Sequence, residues 1–179
     1  VECAYSFVEI PYEGSNGINE EGLRNYELRF DVADKDVEGK LVIDPELYWG
    51  TYFGGDQYDY FTNVAVDSRD YIYAVGYTQS TTQIATTGAH QTTYSDNTDG
   101  CLAKFNNQGR LEWATYYGSD ETDFLYSVIV NWQDDVLIGG VTSSTMGIAT
   151  GGSYQSSYGG GAADGFIVKF NSSGVRQWG

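Results

Sequence analysis

The chain is 179 residues long, enough for one sizeable core or for a small domain joined to part of another. Nine Lys and Arg against 25 Asp and Glu give a formal charge of -16, which argues against nucleic acid or an anionic membrane as partner, because phosphate binding runs on basic side chains. The longest apolar run, VLIGGV at 136–141, falls far short of the roughly 20 residues of a membrane helix. No membrane insertion is expected, and the chain reads as a mature soluble segment.

Sixteen Tyr, eight Phe and four Trp stand beside 23 Gly and two Pro, a balance that suits many short strands joined by glycine turns. In chain order, the only helix-like stretch is INEEGLRNYEL at 18–28, interrupted by Gly22 and followed by the alternating RFDV. Little or no helix is therefore assigned. LYWGTYFGG at 47–55 comes next, with Leu47, Trp49, Thr51 and Phe53 projecting to one side of an expected strand and Tyr48, Gly50 and Tyr52 to the other. Strands are then expected at 61–67 and 71–78 around the turn SRD, followed by a Thr, Ser and Gly-rich loop at 79–98. CLAKFN, an Asn and Gly turn, and a strand ending in a tryptophan segment complete the unit.

The unit returns. Shifted by 64 positions, WGTYFGGDQYD at 49–59 lies on WATYYGSDETD at 113–123, and the match runs on to Tyr94 over Tyr158. After a one-residue insertion, DGCLAKFNNQGRLEW at 99–113 lies on DGFIVKFNSSGVRQW at 164–178. About 26 of some 65 aligned positions are identical, more than shared composition gives. The second copy places strands at 126–130 and 135–142, with its loop at 143–163. Four strands per unit of this length point to an all-β fold of beta-propeller blades, in which a central strand is covered on both faces by neighbouring sheets. Residues 47–113 form repeat 1, and 114–179 form repeat 2 with the start of another. Residues 1–46 are set apart as a different leader.

Trp49, Tyr52, Gly54, Trp113, Tyr116, Gly118 and Trp178 mark the repeat and are assigned structural roles. The tryptophans are expected at equivalent, largely buried positions. Gly54 and Gly118 are expected at positive φ where the strand ends, and the small residues Gly50, Ala114 and Gly179 where an adjacent sheet comes close.

These residues resemble the SBBP repeat, a bacterial beta-propeller repeat. The resemblance rests on W-x-T-Y-[FY]-G, the D-x-x-D after it, V-x-V-[DN], G-x-T-x-S, the G-x-x-Q-x-x-Y loop and D-G-x-x-x-K-F-N-x-x-G, and it covers 48–179. KLVIDPELYWGTYFGG resembles the junction of a β-rich domain with a first blade, so 1–46, with YSFVEIPYE and YELRFDVAD, resemble the last strands of such a domain. The resemblance implies a large secreted or cell-surface bacterial protein, some relatives of which leave by type IX secretion, and it brings no common enzymatic activity. Two copies are fewer than the roughly 4 to 8 blades of a propeller, so the chain reads as a fragment. The alternative is several chains assembling one ring.

Chemistry-bearing motifs are sparse. His90, the sole histidine, faces Tyr154 in the alignment, and no G-x-S-x-G, H-E-x-x-H, C-x-x-C or G-x-x-x-x-G-K-[ST] occurs. No catalytic residue, cofactor or metal is assigned. Asp56 with Asp59, and Asp120 with Asp123, read as turn caps, with calcium ligation or a glycosidase carboxylate pair as alternatives. Lys104 and Lys169 are expected to pack their stems in the sheet and meet Asp99 and Asp164. Cys3 and Cys101 read as free or buried thiols. Tyr77, His90 and Tyr154 are candidate ligand-facing loop residues, while Tyr94 and Tyr158 read as loop anchors. The expected function is a non-catalytic structural, adhesion or protein-interaction module, whose partners are a protein or glycan at the cell surface and further blades of the same protein. The alternative is a carbohydrate-binding module or part of a polysaccharide-active enzyme.

Overall fold

A computed structural model describes residues 48–179 and, before them, the backbone of the strands Cys3–Glu9 and Tyr26–Val32. The chain divides into two units, Val1–Glu46 and Leu47–Gly179. In the first, β1 (Cys3–Glu9) pairs antiparallel with β2 (Tyr26–Val32) through Cys3↔Val32, Phe7↔Leu28 and Glu9↔Tyr26. β1 overlaps the expected stretch YSFVEIPYE from Tyr5 to Glu9, and β2 lies within YELRFDVAD. The side chain of Cys3 and residues 18–25 lie outside the described residues.

The second unit is all β among its described residues. β3 (Asp59–Val66), β4 (Ile72–Thr78), β5 (Asp99–Phe105) and β6 (Leu111–Tyr117) form one four-stranded antiparallel sheet, in chain order. β7 (Asp123–Val130), β8 (Val136–Thr142), β9 (Asp164–Phe170) and β10 (Arg176–Trp178) form the second in the same order. These are the expected propeller-blade sheets. They are offset from the sequence repeat, since β6 begins in copy 1 and ends on residues 114–117.

A bulge interrupts β3 between Phe61 and Asn63, and the matching bulge interrupts β7 between Leu125 and Ser127. Each crowds the glycine of G-x-T-x-S across the ladder. A Cβ on Gly76 would lie 1.7 Å from the Tyr60 carbonyl oxygen, and one on Gly140 would lie 2.0 Å from that of Phe124. Only glycine lets the strands approach this closely.

Tyr73, Val75, Leu102 and Tyr117 of the first sheet pack with Leu125, Val128, Val136, Ile138, Val168 and Phe170 of the second. A smaller cluster of Ala74, Ala103, Phe105 and Ala114 lies on the other face of the first sheet, with Phe53 and Phe61 against it. Every residue of β5 is buried, whereas β9 alternates between more and less exposed positions along its first half. The sequences CLAKF and FIVKF are equally apolar, so coverage by neighbouring elements makes the difference.

Three expectations are corrected. Residues 48–58 contain no strand; β6, with the same pattern, is a strand because β5 of its own sheet pairs with it, and no described strand offers that ladder to 48–53. Tyr52 is accordingly fully exposed at 103%, while its counterpart Tyr116 is buried at 1%. Gly54 and Gly118 have no positive φ. They are needed for space, since a Cβ on Gly54 would stand 2.5 Å from Asp59 Oδ2, and one on Gly118 would stand 2.5 Å from Asp99 Oδ1. Finally, nothing lies within 4 Å of a Cβ on Gly50, whereas one on Gly179 would meet the Ile148 carbonyl and the Tyr117 hydroxyl, each at 2.9 Å.

Candidate functional site

The turns between β5 and β6 and between β9 and β10 are built alike. Asn106 Oδ1 accepts from the N–H groups of Gln108 and Arg110, Asn171 Oδ1 accepts from those of Ser173 and Val175, and Gly109 and Gly174 supply φ values of 74° and 81°. A tryptophan 58 or 59 residues earlier in the chain seats on each turn. Trp49 Nε1 donates to the Asn107 carbonyl at 3.1 Å and its ring covers Gly109. Trp113 Nε1 donates to the Ser172 carbonyl at 3.2 Å and its ring covers Gly174. Both are partly buried, and Trp178, with no described turn to cover, is 43% exposed. The expectation of three equivalent, largely buried tryptophans is corrected: Trp49 and Trp113 are equivalent and partly buried on their turns, and Trp178 is exposed.

The paired aspartates cap and tie the loops. Asp56 accepts from the N–H and hydroxyl of both Thr81 and Thr82, and Asp120 accepts from the N–H and hydroxyl of Thr145. Asp59 accepts from Gly55 N–H, Thr78 Oγ1 and Ser80 Oγ. Asp123 accepts from Ser119 N–H and Ser144 Oγ. G-x-T-x-S and D-x-x-D therefore form one hydrogen-bonded unit in each copy. Among the described residues no cluster of three or more metal-ligating side chains occurs.

The lysines find other partners than expected. Lys104 Nζ lies 3.7 Å from Asp67 Oδ2, 4.2 Å from the centroid of Tyr71 and 4.9 Å from that of Tyr73, and donates to the Ser172 carbonyl at 3.1 Å. Lys169 Nζ pairs with Asp135 Oδ2 at 2.7 Å. Asp99 and Asp164 stand at the opposite strand ends from Phe105 and Phe170, six residues along the same strands, out of a lysine's way. The acids that meet the lysines instead lie at the β3–β4 and β7–β8 turns, directly across the sheet.

The loop candidates occupy separate surroundings. His90 is exposed at its edge but stacks on Tyr117 with centroids 5.8 Å apart and meets the edge of Phe170 at 5.6 Å; partial desolvation against these rings, then the charge of Arg176, holds its pKa below the usual histidine value. Tyr154, its counterpart, is fully exposed and lines an open groove of about 1080 Å³ with Ile148, Gln155, Phe166 and Trp178. In the first sheet the corresponding space is filled by β6, where Tyr116 donates to the Ser80 carbonyl and Gly118 N–H to Gln91 Oε1. Tyr94 and Tyr158 anchor their loops by donating to the carbonyls of Asn97 and Gly161.

Tyr77 belongs to a row of rings absent from the sequence expectation. Tyr60 stacks on Tyr77 at 5.5 Å, Tyr77 meets Phe124 edge-on at 4.9 Å, and Phe124 stacks with Tyr126 at 5.9 Å. Tyr60 and Tyr126 are about half exposed. The available signal was the aromatic that follows the second aspartate of D-x-x-D in both copies, Tyr60 and Phe124. The row spans both sheets, so alignment of one copy on the other does not reveal it.

Compared with known proteins, residues 49–85 match the family model for SBBP, a beta-propeller repeat. A search of curated proteins finds no match.

Proposed function

Because residues 49–85 are an SBBP beta-propeller repeat and the following copy repeats their pattern, we propose that the chain is a non-catalytic propeller segment of a secreted or cell-surface bacterial protein, acting as a structural, adhesion or protein-interaction module. The observation that supports a non-catalytic role is that the polar chemistry of each copy is consumed by its own architecture. Asp56, Asp59, Asp120 and Asp123 hold loops, Lys104 and Lys169 hold turns, and His90 lays one side on Tyr117 and Phe170. Trp178 and the groove beside it offer the seat that further blades of the same protein would take. The extracellular placement rests on the family resemblance.

A second reading, glycan binding, is favoured by the row Tyr60, Tyr77, Phe124 and Tyr126, since sugar rings stack on aromatic faces with polar groups at the rim. Calorimetric titration with a panel of bacterial and host-surface polysaccharides separates the two. Millimolar or tighter binding that disappears in Tyr77→Ala supports the lectin role. No binding across the panel leaves the protein-interaction role, and hydrolysis of any member overturns the non-catalytic assignment.

A further inference from the structure

The seam between the two sheets buries two carboxylates that pair with no cation among the described residues. Asp99 opens β5 and Asp123 opens β7, both are fully buried, and the Asp123 N–H donates to the Thr98 carbonyl at 2.7 Å, holding the two strand starts together. On Asp99, Oδ2 accepts from Ser95 N–H at 2.9 Å and Gln91 Nε2 at 3.0 Å, while Oδ1 is buried without a partner. On Asp123, Oδ2 accepts from Ser119 N–H and Ser144 Oγ, and the Thr142 hydroxyl stands against the carboxylate and favours its charge, while Oδ1 is buried. Gly118 lies beside both. The position its Cβ would take is 2.5 Å from Asp99 Oδ1 and 2.7 Å from Asp123 Oδ2, so the two oxygens border one small space.

The other groups around the pair do not supply positive charge. Tyr94 and Tyr116 face Asp99, and burial, then its charge, holds both phenols above their usual pKa. Asp120, Thr142 and Tyr117 surround Asp123. Arg176 reaches Tyr117, where its Nη1 is engaged by the phenol oxygen and by the carbonyls of Gly147 and Ile148. The ion pairs among the described residues use Asp67, Asp134 and Asp135.

Two carboxylates that share a buried space ionise together only at high cost, and one of them then keeps its proton. We propose that Asp99 and Asp123 hold one proton between them in the folded chain, which makes the seam between the two sheets pH-sensitive: closed in mild acid and strained above neutrality. Burial, with the Asp123 charge behind it, pushes the Asp99 carboxyl up to about 7, and burial raises Asp123 as well. An unfolded aspartate titrates near about 3.9. With the folded value raised, the stabilising contribution is complete below about pH 4 and is lost as pH rises through about 7. The pair needs the D-G of one copy and the D-x-x-D of the next, so it arises only where two units meet. Asp164, the D-G aspartate of the second copy, is only partly buried.

The test is a carboxyl-carbon NMR titration of the 179-residue chain, with thermal unfolding from pH 5 to pH 8. The Asp99 carboxyl should titrate about three units above the unfolded value, and the melting temperature should fall by several degrees across that range. Asp99→Asn should flatten the fall, and Asp123→Asn should move the Asp99 midpoint down. A wild-type Asp99 midpoint near 4 overturns the proposal even if neither variant folds. Recovery of the lost melting temperature at pH 8 by calcium, with stoichiometric binding abolished in Asp99→Asn, also overturns it, since a cation would then occupy the space.

Discussion

Trp113 donates its indole N–H to the carbonyl of Ser172 and lays its ring over Gly174, 61 residues further along the chain and in the next sheet. Trp49 makes the same contact with Asn107 and Gly109. Replacing Trp113 by Ala removes a partly buried ring and a hydrogen bond. A loss of about 2 to 4 kcal/mol is expected by urea unfolding, below or within the range for a fully buried tryptophan. Trp178→Ala should cost less than about 1 kcal/mol, because that ring has no described turn beneath it.

Gly118 separates crowding from conformation. Its φ is ordinary, so Gly118→Ala brings no backbone strain but drives a methyl group into the carboxylates of Asp99 and Asp123. A loss of about 1 to 3 kcal/mol is expected from overpacking. Gly50→Ala, at the aligned position of Ala114, meets nothing within 4 Å and should leave stability within about 0.5 kcal/mol. Equal effects at the two sites would refute the crowding explanation.

Asp67 anchors the β3–β4 turn and faces Lys104. Burial opposes its charge, but the N–H groups of Arg69 and Tyr71, the ammonium of Lys104 and the Tyr73 hydroxyl together hold its pKa below the usual value. Asp67→Ala should cost about 3 kcal/mol, as for a broken buried pair. Asp67→Asn should cost less, because the amide oxygen keeps the two backbone bonds, as Asn131 does with Gln133 and Asp135 in the second copy. With a depressed folded pKa, the contribution of Asp67 is present above about pH 4 and lost as pH falls through the folded value. Denaturation midpoints of the wild type should therefore drop steeply below pH 4, and less steeply in Asp67→Asn.

Cys101 is buried at 1% in the middle of a covered strand, and burial drives its thiol pKa far up. Its alkylation by iodoacetamide should track global unfolding and be undetectable over hours in native buffer. Labelling at the rate of an exposed thiol would show that β5 is uncovered.

The repeat made the sheets legible. Alternation and turn chemistry place β3 to β10 within a few residues, but the full burial of β5 against the partial exposure of β9 depends on neighbouring elements that the equally apolar CLAKF and FIVKF do not show. The roles of particular residues were less accessible. Trp49 and Trp113 read as structural, but their partners lie 58 and 59 residues further along the chain, and an alignment of copies shows equivalence without showing contact. At Gly54 and Gly118 the requirement for glycine comes from a carboxylate at the place a Cβ would take, a contact that the sequence pattern does not reveal. The lysines meet Asp67 and Asp135 across the sheet, because the strand direction carries the D-G aspartates to the far strand ends, which sequence proximity does not show. The row from Tyr60 to Tyr126 crosses between sheets, so no single copy contains it.

The most direct measurement of the seam between the sheets is hydrogen exchange at the four indole N–H groups. Trp113 donates across the seam, while Trp132 is 89% exposed and Trp178 is half exposed without a seat. Trp49 and Trp113 should exchange slowly, and Trp132 and Trp178 fast, with Trp113 slowed by at least about tenfold relative to Trp132. Exchange of Trp113 at the rate of Trp132 would contradict the packing of the two sheets as successive blades.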